Sequence, residues 1–231
     1  MKVEIWSDIN CPFCYIGKRK FENALKDFEQ KDNVEVVWRS FQLDPEMKPV
    51  TGQSVHQYLA NRKGVTLEKG KEMNAYMSGL AKEVGLEYNF NKAIINNTMD
   101  AHRLLHLAAR HGVQNEVKEL LFAAYYTQGK NIGDIETLIQ IGESAGLNAD
   151  EITTMLQTGT YENEVKQDQY KAQELDINGV PFFVFNNKYG VSGAQPTEVF
   201  TEVLEKVYEE EKPSLTEITT GSVCTPDGVC N

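Results

Sequence analysis

Four cysteines stand in two pairs at opposite ends of the chain: Cys11 and Cys14, spaced Cys-x-x-Cys, and Cys224 and Cys230, spaced Cys-x5-Cys. Thiols so spaced can exchange with disulfides or bind a metal, and in both cases the thiolate is the reacting species. An ordinary thiol of pKa about 8.5 is only ~3% ionised at pH 7; lowering that value to about 5.5 makes it ~97% ionised, for roughly 4 kcal/mol. Cys11 stands at the start of a predicted helix, where unpaired N–H groups and the helix dipole favour negative charge but supply about a quarter of that amount. Hydrogen bonds and nearby cations must supply the rest. Cys14 falls one turn along the same face, so it can close a disulfide with Cys11 or resolve a mixed one. Lys18, Arg19 and Lys20 follow on the same helix and read as a solvated basic face, with Lys18 also able to help either thiolate. A structural zinc site would need a second pair at ligand spacing, and Cys224/Cys230 is wider than common zinc knuckles. A redox pair is the preferred reading. His102 and His106 share one helix face at i, i+4, but Arg103, Leu104 and Leu105 between them do not complete an H-E-x-x-H motif, and no metal is expected.

The elements that must position the first pair are legible in the residue pattern. Lys2 to Trp6 alternates as a half-buried strand does, and Ser7 to Asn10 forms a polar turn. From Cys11 the pattern turns helical through Phe13, Ile16, Phe21, Leu25 and Phe28, with Pro12 suited to the first turn. Val34 to Leu43 reads as a second strand, so the unit is βαβ with a parallel pair. From about Ser54 to Ile177 the chain is a succession of helices. Gly85, Gly112, Gly129, Gly146 and Gly159 fall where C-terminal caps are expected, and Asn148 to Glu151 forms a capping-box-like start. Phe182 to Phe185 and Tyr189 to Ser192 predict two strands joined by an Asn186-Asn187 turn. Pro196 to Glu210 predicts a last helix, and beyond Pro213 the composition reads as a mobile tail.

The chain has 231 residues, 23 basic against 34 acidic, a formal charge of 23 − 34 = −11. That length buries a substantial core without disulfide staples, and an acidic balance argues against nucleic acid as a partner. No apolar run has the length of a membrane span or a signal segment. The expected location is therefore the cytoplasm, where thiols are usually catalytic, sensing or metal-bound.

The run Ser7-Asp8-Ile9-Asn10-Cys11-Pro12-Phe13-Cys14-Tyr15-Ile16-Gly17 resembles the active-site segment of the DsbA-like thioredoxin superfamily, in its FrnE branch. Gly179-Val180-Pro181-Phe182-Phe183 resembles that family's cis-proline loop, and Asn97 to Leu104 a segment typical of the branch. The resemblance implies an α/β protein with a thioredoxin-like fold interrupted by an all-helical domain. Its expected division is residues 1–50 and 178–212 for the discontinuous thioredoxin-like domain, 51–177 for the helical insertion, and 213–231 for a tail carrying the second cysteine pair. It implies a cis Val180–Pro181 bond beside Cys11, with Cys11, Cys14 and Pro181 as catalytic residues. Pro12, Phe13, Val180 and His102 are expected to line the substrate groove, with a satisfied packing histidine as the alternative reading of His102.

The expected activity is a protein thiol–disulfide oxidoreductase or isomerase acting on protein or peptide thiols and disulfides. No bound cofactor is expected; the electron partner would be glutathione or a thioredoxin-type protein, and assembly as a homodimer is compatible with the pattern. In kappa-class glutathione transferases and hydroxychromene-carboxylate isomerases of the same superfamily, the resemblance places serine where Cys11 stands. Two cysteines therefore favour dithiol exchange, with a glutathione-dependent transferase or isomerase and a redox-gated adaptor as the alternatives. The Pro12-Phe13 dipeptide lacks the histidine of strongly oxidising periplasmic members. In the tail, Thr225-Pro226-Asp227-Gly228 forms a turn that brings Cys224 and Cys230 together. The linker from Glu211 to Val223 has an r.m.s. reach near ~20 Å and at most about 45 Å when extended, so a relay to Cys11/Cys14 is expected, against a stray pair or a metal trap.

Overall fold

The computed structural model describes residues 1–48 and 52–212. The expected break between residues 50 and 51, the tail, and Cys224 with Cys230 lie outside the described residues. Strand β1 (Lys2–Ser7) leads through a turn into α1 (Pro12–Asp27), and strand β2 (Glu35–Ser40) returns parallel to β1, in the register Ile5 opposite Trp38. β2 is shorter than the sequence pattern suggests because the next backbone donors leave the ladder. Gln42 N–H donates to the Gln169 side chain and Leu43 N–H to Asp8.

Among the described residues seven α-helices follow before the chain re-enters the sheet: α2 (Val55–Lys63), α3 (Leu67–Glu83), α4 (Met99–Arg110), α5 (Gln114–Phe122), α6 (Ile135–Ser144), α7 (Ala149–Thr158) and α8 (Glu162–Glu174). Four of these starts are capped by side chains that accept orphan N–H groups: Ser54 from Gln57, Thr66 from Lys69, Asp134 from Thr137, and Asn148 from Asp150 and Glu151. α5 runs on into a π-helical turn, Ala123–Gln128, which ends at Gly129 in the left-handed conformation. Then come β3 (Phe182–Phe185), β4 (Tyr189–Ser192) and α9 (Thr197–Glu211). Asn186 and Asn187 both take positive φ, 48° and 54°, as a tight two-residue hairpin demands.

The sheet order is β2-β1-β3-β4, with β3 antiparallel to both neighbours. Alternation along the strands splits the side chains between two layers. Val3, Ile5, Trp38, Phe183 and Phe185 pack with Phe21 and Ala24 of α1 and Phe200 and Leu204 of α9. Trp6 and Val184 face the other way, onto Ala172 of α8 and Ile177. On that second face the buried Glu4 carboxylate receives Lys171 at 3.0 Å and Arg39 at 2.7 Å. Arg39 also donates to Asp168 at 3.0 Å. Burial opposes ionisation of Glu4, but the bonds from Lys171 and Arg39 outweigh it and hold its pKa below the ordinary value. α8, which the sequence assigns to the helical insertion, thus packs as a cover of the sheet.

The remaining helices share one core with the start of α1: Cys11, Cys14, Tyr15 and Ile16 pack among Leu104, Leu121, Phe122 and Tyr126. α1 can approach the segment before β3 because residue 17 is glycine. A Cβ there would lie 3.0 Å from Pro181 Cγ and 3.4 Å from Phe183 Cζ. Gly17→Val should therefore push α1 off the Pro181 segment and cost about 1–3 kcal/mol, read as a lower urea midpoint at unchanged slope. An unchanged midpoint would show that the contact does not constrain the packing.

Candidate active site

β1 delivers the chain to a turn in which Cys11 N–H donates to Asp8 O at 3.2 Å, and Cys14 N–H donates to Cys11 O at 3.0 Å. Cys11 is the N-cap residue of α1, but its sulfur caps nothing. Sγ instead points across to the Val180 carbonyl, 3.3 Å away and 169 residues on, immediately before the cis Val180–Pro181 bond. Cys11 and Cys14 are both free thiols, and both are buried.

Four contacts brace the turn from outside α1. Tyr88 donates its hydroxyl proton to Pro12 O at 2.7 Å. Asn10 Nδ2 donates to Asn96 O at 3.0 Å. The buried Asp8 carboxylate accepts from Leu43 N–H at 2.8 Å and lies 3.3 Å from His102 Nε2. Behind the cysteines stands an aromatic wall: Tyr15 stacks on Phe122 at 4.8 Å, and Tyr88 on Tyr126 at 4.3 Å.

Pro12 and Val180 are partly exposed and Phe13 is 43% exposed, so these three stand at the surface around the thiols. His102 does not. Its ring is wholly buried against Asp8, so the expectation that it lines the groove is replaced by a bracing role behind the turn. His106 lies 3.2 Å from Asp168 and 3.1 Å from Ser40 Oγ. The expected solvated basic face of α1 is also different in the structure. Lys18 is buried and donates to Glu22 at 2.6 Å and Glu119 at 2.5 Å, while Arg19 bonds Glu119 at 2.6 Å. Carboxylates therefore neutralise the cations that the sequence offered to the thiols. No group of three His, Cys, Asp or Glu that could hold a metal occurs among the described residues, and no described helix is long and apolar enough to cross a membrane. A cleft of about 770 Å³ opens beside Asn96, lined by Ile94, Asn97, Met99, Asn131 and Lys166; neither Pro12, Phe13 nor Val180 lines it.

The electrostatics of this dithiol differ from what a helix start alone suggests. The neighbouring Cys14 thiol, then burial, and then the charge of Asp8 push the Cys11 thiol well above the ordinary range. The physical reason is that Cys11 Sγ lies buried against the Val180 carbonyl and beside a second sulfur, and these outweigh the pull of the Cys14 backbone N–H toward the thiolate. Burial opposes ionisation of Asp8, yet the bonds from His102, Leu43 and Thr98 hold its carboxyl below the usual value. Burial likewise holds His102 down, against the pull of Asp8, so at neutral pH the ring is neutral and donates Nε2–H to a carboxylate.

Sequence reasoning missed Asp8 as a buried carboxylate, Tyr88 as a brace and Lys118 as a buried amine. Gly17 inside a helix did carry a signal, since an interior glycine usually has a packing reason.

His102 and Asp8 together set an acid limit. In the unfolded chain His102 takes up its proton near its ordinary pKa of about 6.5, whereas the folded chain resists until lower pH. Stability is therefore full above about 6.5 and declines as the pH falls through that value. The lowered Asp8 carboxyl adds a second decline below about 4. His102→Gln should be less stable at pH 7.5 but lose less between pH 7.5 and 5 than the wild type, measured by urea midpoints. Equal losses would remove His102 from the account.

The DSBA-like thioredoxin domain model matches residues 2–205. The chain is 39% identical to a probable DsbA oxidoreductase from Streptomyces coelicolor, with a TM-score of 0.86, covering 100% of this chain and 98% of that one. It is 30% identical over 208 residues to the uncharacterized protein YwbO of Bacillus subtilis, covering 87% of this chain and 94% of YwbO. The cytosolic disulfide reductase DsbM from Pseudomonas aeruginosa shares the fold at 14% identity and a TM-score of 0.65, covering 90% of this chain and 100% of that one. With a parallel βα start, a helical interruption, a returning hairpin and two free thiols at the head of α1, the chain belongs to the DSBA-like thioredoxin domain family of oxidoreductases.

Proposed function

We propose that the chain exchanges disulfides with protein or peptide substrates through Cys11 and Cys14, Cys11 attacking and Cys14 resolving. The observation that supports this most is the free Cys11 sulfur lying 3.3 Å from the Val180 carbonyl, with the Cys14 thiol one turn away. In the reducing direction, Cys11 loses its proton and attacks a substrate disulfide, releasing one substrate sulfur as a thiolate that takes up a proton. Cys14 then attacks Cys11 Sγ, the second substrate sulfur leaves and is protonated, and a Cys11–Cys14 disulfide remains. Exposed Phe13 and part-exposed Val180, which precedes the buried Pro181, are the surfaces an extended substrate segment would meet first.

The preferred direction follows from where the proton stays. A stabilised thiolate stabilises the reduced form and makes a pair oxidising. Here the Cys14 thiol and burial hold the Cys11 thiol above its ordinary range, the direction that favours a reducing pair over a strongly oxidising one. That suits the cytoplasm as the working compartment, with glutathione or a thioredoxin-type protein returning the electrons. Isomerisation of wrongly paired disulfides uses the same two steps. Exchange with Cys224 and Cys230 rests on the sequence alone.

Turnover of a fluorogenic disulfide peptide tests the reading. Cys11→Ser should lower the rate at least ~100-fold, and a variant with wild-type turnover would contradict it. Equilibration with glutathione buffers should place the pair nearer thioredoxin, at about −270 mV, than DsbA, at about −120 mV. A value at the DsbA end would reverse the direction.

A further inference from the structure

One cation beside the cysteines has no carboxylate to answer it. Lys118 of α5 is wholly buried, and its Nζ has no hydrogen-bond partner among the described residues. It lies 4.7 Å from the centre of the Phe122 ring and 5.4 Å from that of Trp38. Its helix is held against α1 by the next residue, Glu119, which takes Lys18, Arg19 and the Tyr15 hydroxyl. Phe122, one turn beyond Lys118, stacks on Tyr15, the residue after Cys14. The amine is therefore fixed in the core that surrounds the thiols. A buried amine normally finds an acceptor or a counter-charge, and aromatic faces alone are an unusual resting place for one.

The titratable groups whose charge acts on it include Asp8, Cys11 and Cys14 of the cysteine turn, Lys18 of α1 and His102 of α4. β2 contributes the uncharged Trp38 ring. Asp8 is taken by His102, Leu43 and Thr98, and Lys18 by Glu22 and Glu119. The charge that comes and goes in this set as the protein works is the one on the dithiol.

We infer that Lys118 is a positioning residue for the dithiol: its buried ammonium, donated by the helical block, is the counter-charge for the thiolate formed at Cys14 and Cys11. The inference rests on the dithiol-exchange reading and adds to it the group that tunes the pair. When a thiol ionises, its proton passes to Lys118 if the amine is neutral and to solvent if it is already charged. In both cases an ammonium then faces a thiolate. When the pair closes to a disulfide, two electrons and two protons leave the sulfurs for the substrate, no thiolate remains, and Lys118 gives up its proton more easily. Burial lowers the Lys118 pKa to about 8 despite the pull of Cys14, Asp8 and Cys11, so small changes around it alter its charge near neutral pH. Linkage is reciprocal: if the thiolate favours the ammonium, the ammonium favours the thiolate to the same degree.

The test begins with the unaltered protein. The lysine Cε and Nζ resonances of Lys118 are titrated by NMR in the reduced and the oxidised chain. The expected result is a higher midpoint when the pair is reduced; equal midpoints in the two redox states overturn the inference. Lys118→Met keeps the length of the side chain and removes its charge. It should lower the alkylation rate of the dithiol at pH 7 about tenfold, with the pH profile moved upward, and make the reduction potential about 30 mV more negative for each tenfold. A variant that only melts at lower temperature, with profile and potential unchanged, assigns Lys118 to packing and overturns the inference. If Lys118→Met does not fold, the wild-type titration decides. If the wild type exchanges no disulfide at all, the proposed function fails, while the two NMR midpoints still report whether lysine and thiols are coupled.

Discussion

The approach of the Cys11 sulfur to the Val180 carbonyl, across 169 residues of sequence, is the constraint the rest of the molecule serves. It exists because β1 and β3 are neighbours in the sheet, with Trp6 opposite Phe182, so the end of β1 and the beginning of β3 lie at the same edge. Strand pairing fixes that neighbourhood to within a residue, since a slip of one position would turn Ile5 and Phe183 out of the layer they share with Phe21. Gly17 completes it by letting the first turns of α1 lie against Pro181. The thiols are thus positioned by long-range sheet register, and the short loop that carries them is held rather than self-supporting.

The second consequence is that the two parts of the chain have no independent interiors at this point. The cysteine turn is packed into the helical block, where Tyr88, Tyr126, Phe122 and Leu104 surround it, while the sheet contributes the Val180 carbonyl. The charges follow the same division. α1 carries Lys18 and Arg19 close to the thiols but binds both to carboxylates, and the helical block adds His102 and Lys118. Asp8 and neutral His102 pair with each other behind the turn, with His102 Nδ1 left unpartnered among the described residues, and the surroundings of Cys11 favour its protonated form.

Much of this frame was legible in the residue pattern, because local rules govern it. The alternation of Lys2 to Trp6, Pro12 at the head of α1, Asn148 as a cap and the Asn186-Asn187 turn each express a preference that acts over a few residues, and the structure has these elements. Side-chain fate was less legible. His102 and His106 share a helix face in the sequence, but only the fold reveals that one meets Asp8 and the other Asp168. Lys18 reads as part of a solvated basic face, and nothing in the residue pattern singles out Lys118. The burial of Lys18 depends on a partner on another element, Glu119, 101 residues away. The end of β2 at Ser40 is another such case, set by Asp8 and Gln169 taking the next donors. The sheet-covering role of α8 likewise needs Glu4, Arg39 and Asp168 to be brought together, and no spacing in the sequence announces that.

The central claim is that Cys11, held before the Val180 carbonyl, is the sulfur that meets the substrate. Removing the resolving thiol, as Cys14→Ala, should stall the reaction at the mixed disulfide. Mass spectrometry of the trapped species formed with a disulfide-bonded peptide should find the peptide joined through Cys11. A trapped peptide on any other cysteine, or none at all under conditions where the wild type turns over, would contradict the account.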